Sequence, residues 1–213
     1  MAPLNIDIVS DAVCPWCYLG KRRLEVALAE IGAEDAVVRW RPYQLDETIP
    51  PEGLDRQAHM RAKFPDQAQI AAVHQRLAAY GAELGLAFDF SAIRRSPNTF
   101  DAHRLIRWAG ESGHQDAVVD RLFKAYFEEG VDIGDIDALA KLAGECGMDA
   151  GAVREKFASA DDREATRAEI AHWRRAGVSG VPFFIFDGRL AVSGAQSPET
   201  LAAAMVEAQS GRG

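Results

Sequence analysis

Cys14 and Cys17 are separated only by Pro15 and Trp16. Two cysteines at this spacing on the first turn of a helix close a small disulfide with little backbone movement, and the chemistry they suit is thiol–disulfide exchange. A helix N-terminus presents unpaired N–H groups and a partial positive charge to Cys14. Both favour the thiolate, which predicts a pKa below the free-thiol value of about 8.5. Cys17 then lies one turn further in, within reach of a mixed disulfide formed at Cys14. This spacing predicts that Cys14 attacks and Cys17 resolves.

Two plainer readings compete. A zinc site needs two further Cys or His ligands at matching spacing; Cys146 is alone, and His59, His74, His103, His114 and His172 show no paired ligand spacing, so no metal is expected. Two inert cysteines fit poorly with Pro-Trp between them at a strand-to-helix junction. Cys146, before Gly147 at a helix end, reads as a small buried residue, with a second redox role as its alternative.

The elements around the pair follow from periodicity. Leu4, Ile6 and Ile8 alternate with Asn5 and Asp7, the pattern of a half-buried strand. Beyond the cysteines Leu24, Ala27, Leu28 and Ile31 recur at helical spacing up to Gly32, and Pro15 is tolerated in a first helical turn. Residues 37–41 form a second strand, giving a β-α-β start. From Leu54 to Gly177 the pattern predicts no strand, only helical stripes: Ile70 to Leu84, Val118 to Phe127, and Ile136 to Ala143. The segment Ser96-Pro97-Asn98-Thr99 is a candidate cap for a helix carrying Phe100, His103, Leu105 and Trp108. The chain then returns to strand in Val181-Pro182-Phe183-Phe184-Ile185-Phe186. Asp187-Gly188 is a hairpin signal, residues 190–193 form the returning strand, and Ser197-Pro198 opens a last helix.

Asp11-Ala12-Val13-Cys14-Pro15-Trp16-Cys17 after a first strand resembles the active-site motif of the DsbA-like thioredoxin superfamily. Gly180-Val181-Pro182-Phe183 is similar to that superfamily's cis-proline loop, and Ser193-Gly194-Ala195-Gln196 to its FrnE-like branch. Asn98-Thr99, Ala102-His103-Arg104-Leu105 and Ala125-Tyr126-Phe127 resemble the helical domain of the same branch. The resemblance covers nearly the whole chain. It implies an α/β thioredoxin fold with a large all-helical domain, residues 51–174, inserted between the β-α-β and β-β-α halves of a unit made from 1–50 and 175–213. It also implies a cis Val181–Pro182 bond, with Pro182 beside the dithiol and the Val181 backbone free to pair with an extended substrate segment.

The implied activity is thiol–disulfide oxidoreduction with no cofactor beyond the redox-active disulfide itself, and with glutathione or another thiol as co-substrate. The expected partner is a thiol- or disulfide-bearing substrate, protein or small molecule. A related branch, the kappa-class glutathione transferases and 2-hydroxychromene-2-carboxylate isomerases, carries a serine where this chain has Cys14, so glutathione-dependent isomerisation or transfer is the alternative, with a non-catalytic chaperone-like module as a third. Trp16 either tunes the dithiol or forms an apolar lip for substrate. Asp11 either disfavours the thiolate or caps the helix. Asn98, Thr99 and His103 are candidate substrate-binding residues across the domain cleft, or else a cap and an ordinary surface histidine.

Composition narrows the partners. The 213 residues carry 24 Lys+Arg against 32 Asp+Glu, a formal charge of −8, which argues against nucleic acid held by phosphate contacts. No apolar run approaches the roughly 18–20 residues of a membrane helix. Residues 1–7 carry neither a basic segment nor a long apolar one, so the expectation is a cytoplasmic protein. A monomer and a homodimer are both compatible with the helical stripes.

Overall fold

Ile6 and Ile8 on one face and Val9 on the other are all fully buried, which places the first strand inside a sheet covered on both sides. The computed structural model describes residues 3–160 and 162–211. The first two residues of the N-terminal segment read above, and the last two of the C-terminal one, lie outside the described residues.

In chain order the elements are β1 (Asn5–Ser10), α1 (Pro15–Glu30), β2 (Val37–Pro42), β3 (Leu54–Asp55), α2 (Arg56–Lys63), α3 (Gln67–Glu83), β4 (Arg95–Ser96), α4 (Phe100–Glu111), α5 (Gln115–Phe127), α6 (Ile136–Glu145), α7 (Ala150–Ala158), α8 (Arg163–Arg175), β5 (Phe183–Phe186), β6 (Leu190–Ser193) and α9 (Pro198–Ser210). The main sheet has the order β2-β1-β5-β6. β1 runs parallel to β2, from Asn5↔Val37 to Ser10↔Pro42, and antiparallel to β5, from Ile6↔Phe186 to Val9↔Phe183. The sheet is therefore assembled from strands at opposite ends of the chain, the β-α-β and β-β-α order expected from the sequence.

The β5–β6 hairpin turns through Asp187 and Gly188, both at positive φ (52° and 67°). That matches the right-handed twist of the flanking strands, and Asp-Gly is a dipeptide able to adopt it. Ser197 caps α9 by accepting from the Thr200 N–H, with Pro198 in the first turn. One face of the sheet (Leu4, Ile6, Ile8, Phe184, Phe186) packs with Leu24 and Leu28 of α1 and Leu201 and Met205 of α9 in a core continuous with the helical segment. Val9, Tyr43 and Val178, with Trp173 beside them, cover the opposite face.

Specific polar contacts tie the helices to the sheet. The Gln115 side chain accepts from Trp40 N–H (2.9 Å) and donates to Trp40 C=O (3.2 Å). It thus stands in for a strand beside β2, whose edge would otherwise be open. Lys21, buried on α1, reaches Asp116 (2.9 Å) and Asp120 (3.6 Å) on α5 and also pairs with Glu25. Arg104, fully buried on α4, pairs with Asp101 and Asp162 at 2.8 Å and donates to the C=O of Ser159 at 2.7 Å. Trp108 Nε1 donates to the second Asp162 oxygen, also at 2.8 Å. A buried guanidinium requires such multiple pairing, and here it clamps α4 to the start of α8.

Two sequence expectations need correction. Residues 54–177 do contain strand: β3 and β4 pair antiparallel, Leu54↔Ser96 and Asp55↔Arg95. Two residues on each side are too short to leave a period-two signal. Helix α2, not anticipated, has no buried residue, so no apolar stripe marks it. The cap of α4 also differs in detail: Thr99 occupies the cap position with no side-chain bond, and the Asn98 Oδ1 accepts from Phe100 N–H at 2.9 Å.

Candidate active site

β1 ends at Ser10, and the Cys14 N–H bonds back to the Asp11 C=O at 3.0 Å, turning the chain into α1. Cys14 is the N-cap residue in extended conformation, and its C=O accepts from Cys17 N–H (3.0 Å) and Tyr18 N–H (3.3 Å). Pro15 opens the helix. No side chain caps α1, and no acidic residue lies in its first turn. The positive end of the helix is thus left to the Cys14 thiol and whatever binds beside it.

Cys14 and Cys17 are both free thiols, 3% and 0% exposed. The Cys14 thiol donates to Val181 C=O at 3.5 Å, and the Val181–Pro182 peptide bond is cis. The Pro182 C=O accepts from Gly194 N–H at 2.8 Å, fixing the loop against the end of β6. Gly20 makes the close approach of α1 to this loop possible: a Cβ there would lie 3.0 Å from Pro182 Cγ and 3.2 Å from Phe184 Cζ. Nothing in the motif pointed to Gly20; a glycine inside a helical pattern was the available signal.

Burial pushes the Cys17 thiol pKa well above its ordinary value; the neighbouring Cys14 thiol adds to this, a bond to the Asp11 backbone opposes it, and the Asp11 charge makes the smallest upward contribution. Cys17 therefore stays protonated until its proton has somewhere to go.

Asp11 does not cap α1. It is 1% exposed, accepts from Leu45 N–H at 2.7 Å through Oδ2, and turns Oδ1 to His103 Nε2 at 3.3 Å, His103 being 1% exposed as well. Neither of these two facing atoms has a hydrogen-bond partner among the described residues. His103 is thus not a surface histidine; it is buried opposite Asp11 and is not among the residues lining the Cys14 cavity.

Cys14, Pro15, Trp16, Thr99 and Val181 line one cavity of about 550 Å³. Asn98 lies outside it and holds the loop that follows β2: Nδ2 donates to Ile49 C=O (2.6 Å) and Oδ1 accepts from Gln44 Nε2 (3.0 Å). Trp16 is partly buried at the edge of the main core, consistent with an apolar lip. Cys146 is not the fully buried residue expected; it ends α6 half-buried, its thiol 3.5 Å from Ala117 C=O, and burial raises its pKa. A residue at a helix C-terminus beside Gly147 keeps one side towards solvent.

Among the described residues no group of three or more His, Cys, Asp or Glu side chains is placed to hold a metal ion. No described helix is long and apolar enough to cross a membrane.

Comparison with known proteins bears on the same features. The chain is similar to a probable DsbA oxidoreductase from Streptomyces coelicolor of known structure: 33% identity, TM-score 0.90, covering 99% of this chain and 92% of that one. It is 28% identical over 207 residues to YwbO, an uncharacterized protein of Bacillus subtilis, covering 97% of this chain and 98% of the relative. The cytosolic disulfide reductase DsbM from Pseudomonas aeruginosa, solved with GSH, shares the fold at 19% identity and TM-score 0.68, over 96% and 98% of the two chains. Residues 5–206 match the DSBA-like thioredoxin domain family, and the chain belongs to that family.

Proposed function

We propose that this protein is a thiol–disulfide oxidoreductase in which Cys14 attacks and Cys17 resolves. One observation carries the reading: the Cys14 thiol lies at an uncapped helix N-terminus, in the wall of a cavity, with a second buried thiol one turn behind it. In the reducing direction the Cys14 thiolate attacks a substrate disulfide, forming a mixed disulfide and expelling one substrate thiolate, which takes up a proton. The Cys17 thiol then loses its proton and attacks the Cys14 sulfur, forming the Cys14–Cys17 disulfide and releasing the second substrate thiol. Two electrons pass from the dithiol to the substrate. A small thiol such as glutathione, present in the DsbM structure, is the co-substrate that returns the pair to the dithiol form. The oxidising direction is the same sequence reversed, and the potential of the pair against its surroundings sets which one runs.

Val181 C=O, which now accepts from the Cys14 thiol, is the backbone group that would pair with a bound substrate once that thiol ionises. Pro182 shapes the loop, and Pro15 and Trp16 shape the cavity beside it. On this reading the chain divides into a thioredoxin-like unit from 1–50 and 175–213 around an inserted helical segment 51–174. A reducing role would suit a cytoplasmic location.

The test is catalysed disulfide reduction with a recycling thiol. Cys14→Ser is expected to abolish turnover above background, whereas a glutathione-dependent isomerase would tolerate loss of the dithiol. Full reductase activity in Cys14→Ser would overturn the reading.

A further inference from the structure

Cys14 is nearly inaccessible, yet it lines a cavity large enough for a small ligand. Its lining includes Met60 of α2 and Ile70, Val73 and Leu77 of α3, together with Trp16 and Ile49. A cavity of about 550 Å³ lies within the roughly 300–1,000 Å³ of small-molecule sites, and a mostly apolar lining with a few polar groups is their usual construction. The nucleophile lies in the lining of this half-open cleft.

The polar groups in the lining are specific. Arg56, the first residue of α2, lines the cavity and has no ion-pair partner among the described residues. Lys63 and Asp46 pair with each other at 3.1 Å, and Asp11 turns Oδ1 to His103 Nε2 at 3.3 Å. His59 and His74 are both held below the ordinary imidazole pKa, chiefly by burial, and so are neutral at neutral pH. The cavity is thus an apolar cleft whose lining holds both the Cys14 sulfur and Arg56, a cation with no ion-pair partner among the described residues.

We propose that this cavity selects a low-molecular-weight disulfide with an apolar, ring-sized body and a carboxylate, the carboxylate meeting Arg56 and the disulfide meeting Cys14. This deepens the oxidoreductase reading and rests on it. The Cys14 thiolate displaces one half of the substrate as a thiolate, which is protonated; Cys17 releases the other half as a thiol; a small thiol reductant supplies the two electrons for the next cycle. With Cys14 only 3% exposed, a folded protein disulfide is expected to reach its sulfur less readily than a small one.

The experiment measures rate constants of the pre-reduced protein with three disulfides, each normalised to its reaction with free dithiothreitol. They are 5,5′-dithiobis(2-nitrobenzoate), aromatic and dianionic; 4,4′-dithiodipyridine, aromatic and neutral; and insulin. The expected order is anionic aromatic first, neutral aromatic second and insulin last. In Arg56→Gln the anionic-to-neutral ratio is expected to fall about tenfold, the loss of one charge-assisted hydrogen bond, and Arg56→Lys is expected to restore most of it. Insulin reacting as fast as the small disulfides, or a ratio unmoved by Arg56→Gln, would overturn the proposal while leaving the oxidoreductase reading intact. Failure of that reading shows separately, as undiminished reduction of all three disulfides by Cys14→Ser.

Discussion

Replacing His103 by leucine would leave the Asp11 carboxylate buried with only the Leu45 N–H to solvate it. Asp11 Oδ1 and His103 Nε2 lie 3.3 Å apart, both residues are 1% exposed, and neither atom has a hydrogen-bond partner among the described residues. Leucine roughly conserves the volume, so the main effect is an unpaired buried charge and not a cavity. Removing one partner of such a pair costs about 3–5 kcal/mol. For a chain of this size each kcal/mol lowers the melting temperature by about 2–4 °C, so His103→Leu is expected to lose roughly 6–20 °C. The sharper expectation concerns the double variant. Asp11→Asn removes the stranded charge while still accepting from Leu45 N–H, at the cost of an unpaired amide of about 1–3 kcal/mol. Adding Asp11→Asn to His103→Leu should therefore raise stability by about 1–2 kcal/mol, although Asp11→Asn alone should lower it. Urea unfolding of the four proteins at pH 7 measures this cycle directly. A double variant less stable than His103→Leu, or a His103→Leu cost below about 1 kcal/mol, would refute the reasoning. Asp11→Asn also removes one of the influences holding the Cys17 pKa up, so the second thiol should become alkylatable at lower pH.

Gly20→Val would press two extra methyl groups against Pro182 and Phe184, where even a single Cβ is close; a loss of about 1–3 kcal/mol and a fall in kcat/KM are expected, with a smaller effect from Gly20→Ala, read by denaturation and reductase assay. Burial pushes the Asp162 pKa up, but the hydrogen bonds from Arg104 and Trp108 outweigh it and hold the carboxyl below its usual range. Its stabilising contribution is thus complete above about pH 4 and is lost as pH falls through the depressed folded value. Asp162→Asn should therefore be less stable than the parent at neutral pH and should approach it below pH 4 in urea unfolding at a series of pH values.

What could be read in advance depended on how much of each feature is local. Cys14, Pro15, Trp16 and Cys17 sit on one helical turn, and Asp187-Gly188 carries its turn geometry in two residues, so both were legible. The Val181–Pro182 bond was legible only through resemblance to a family. The Asp11–His103 pair joins the first loop to α4 and has no local signature: each residue alone offered two roles, and only packing brings them face to face. Thr99 lines the cavity as expected, whereas the amide of its neighbour Asn98 is occupied by Ile49 and Gln44. Helix α2, which supplies Arg56 and Met60 to the cavity, buries none of its residues, and a hydrophobic pattern cannot report a helix that has no buried face.

The central claim, that Cys14 forms the covalent bond to substrate and Cys17 breaks it, is tested most directly by trapping. Reduced Cys17→Ser protein, treated with a small disulfide and analysed by intact mass and peptide mapping, is expected to carry one substrate half as a stable mixed disulfide at Cys14, while Cys14→Ser carries none at Cys17. An adduct on Cys17 in Cys14→Ser, or no adduct at Cys14 in Cys17→Ser, would contradict the account.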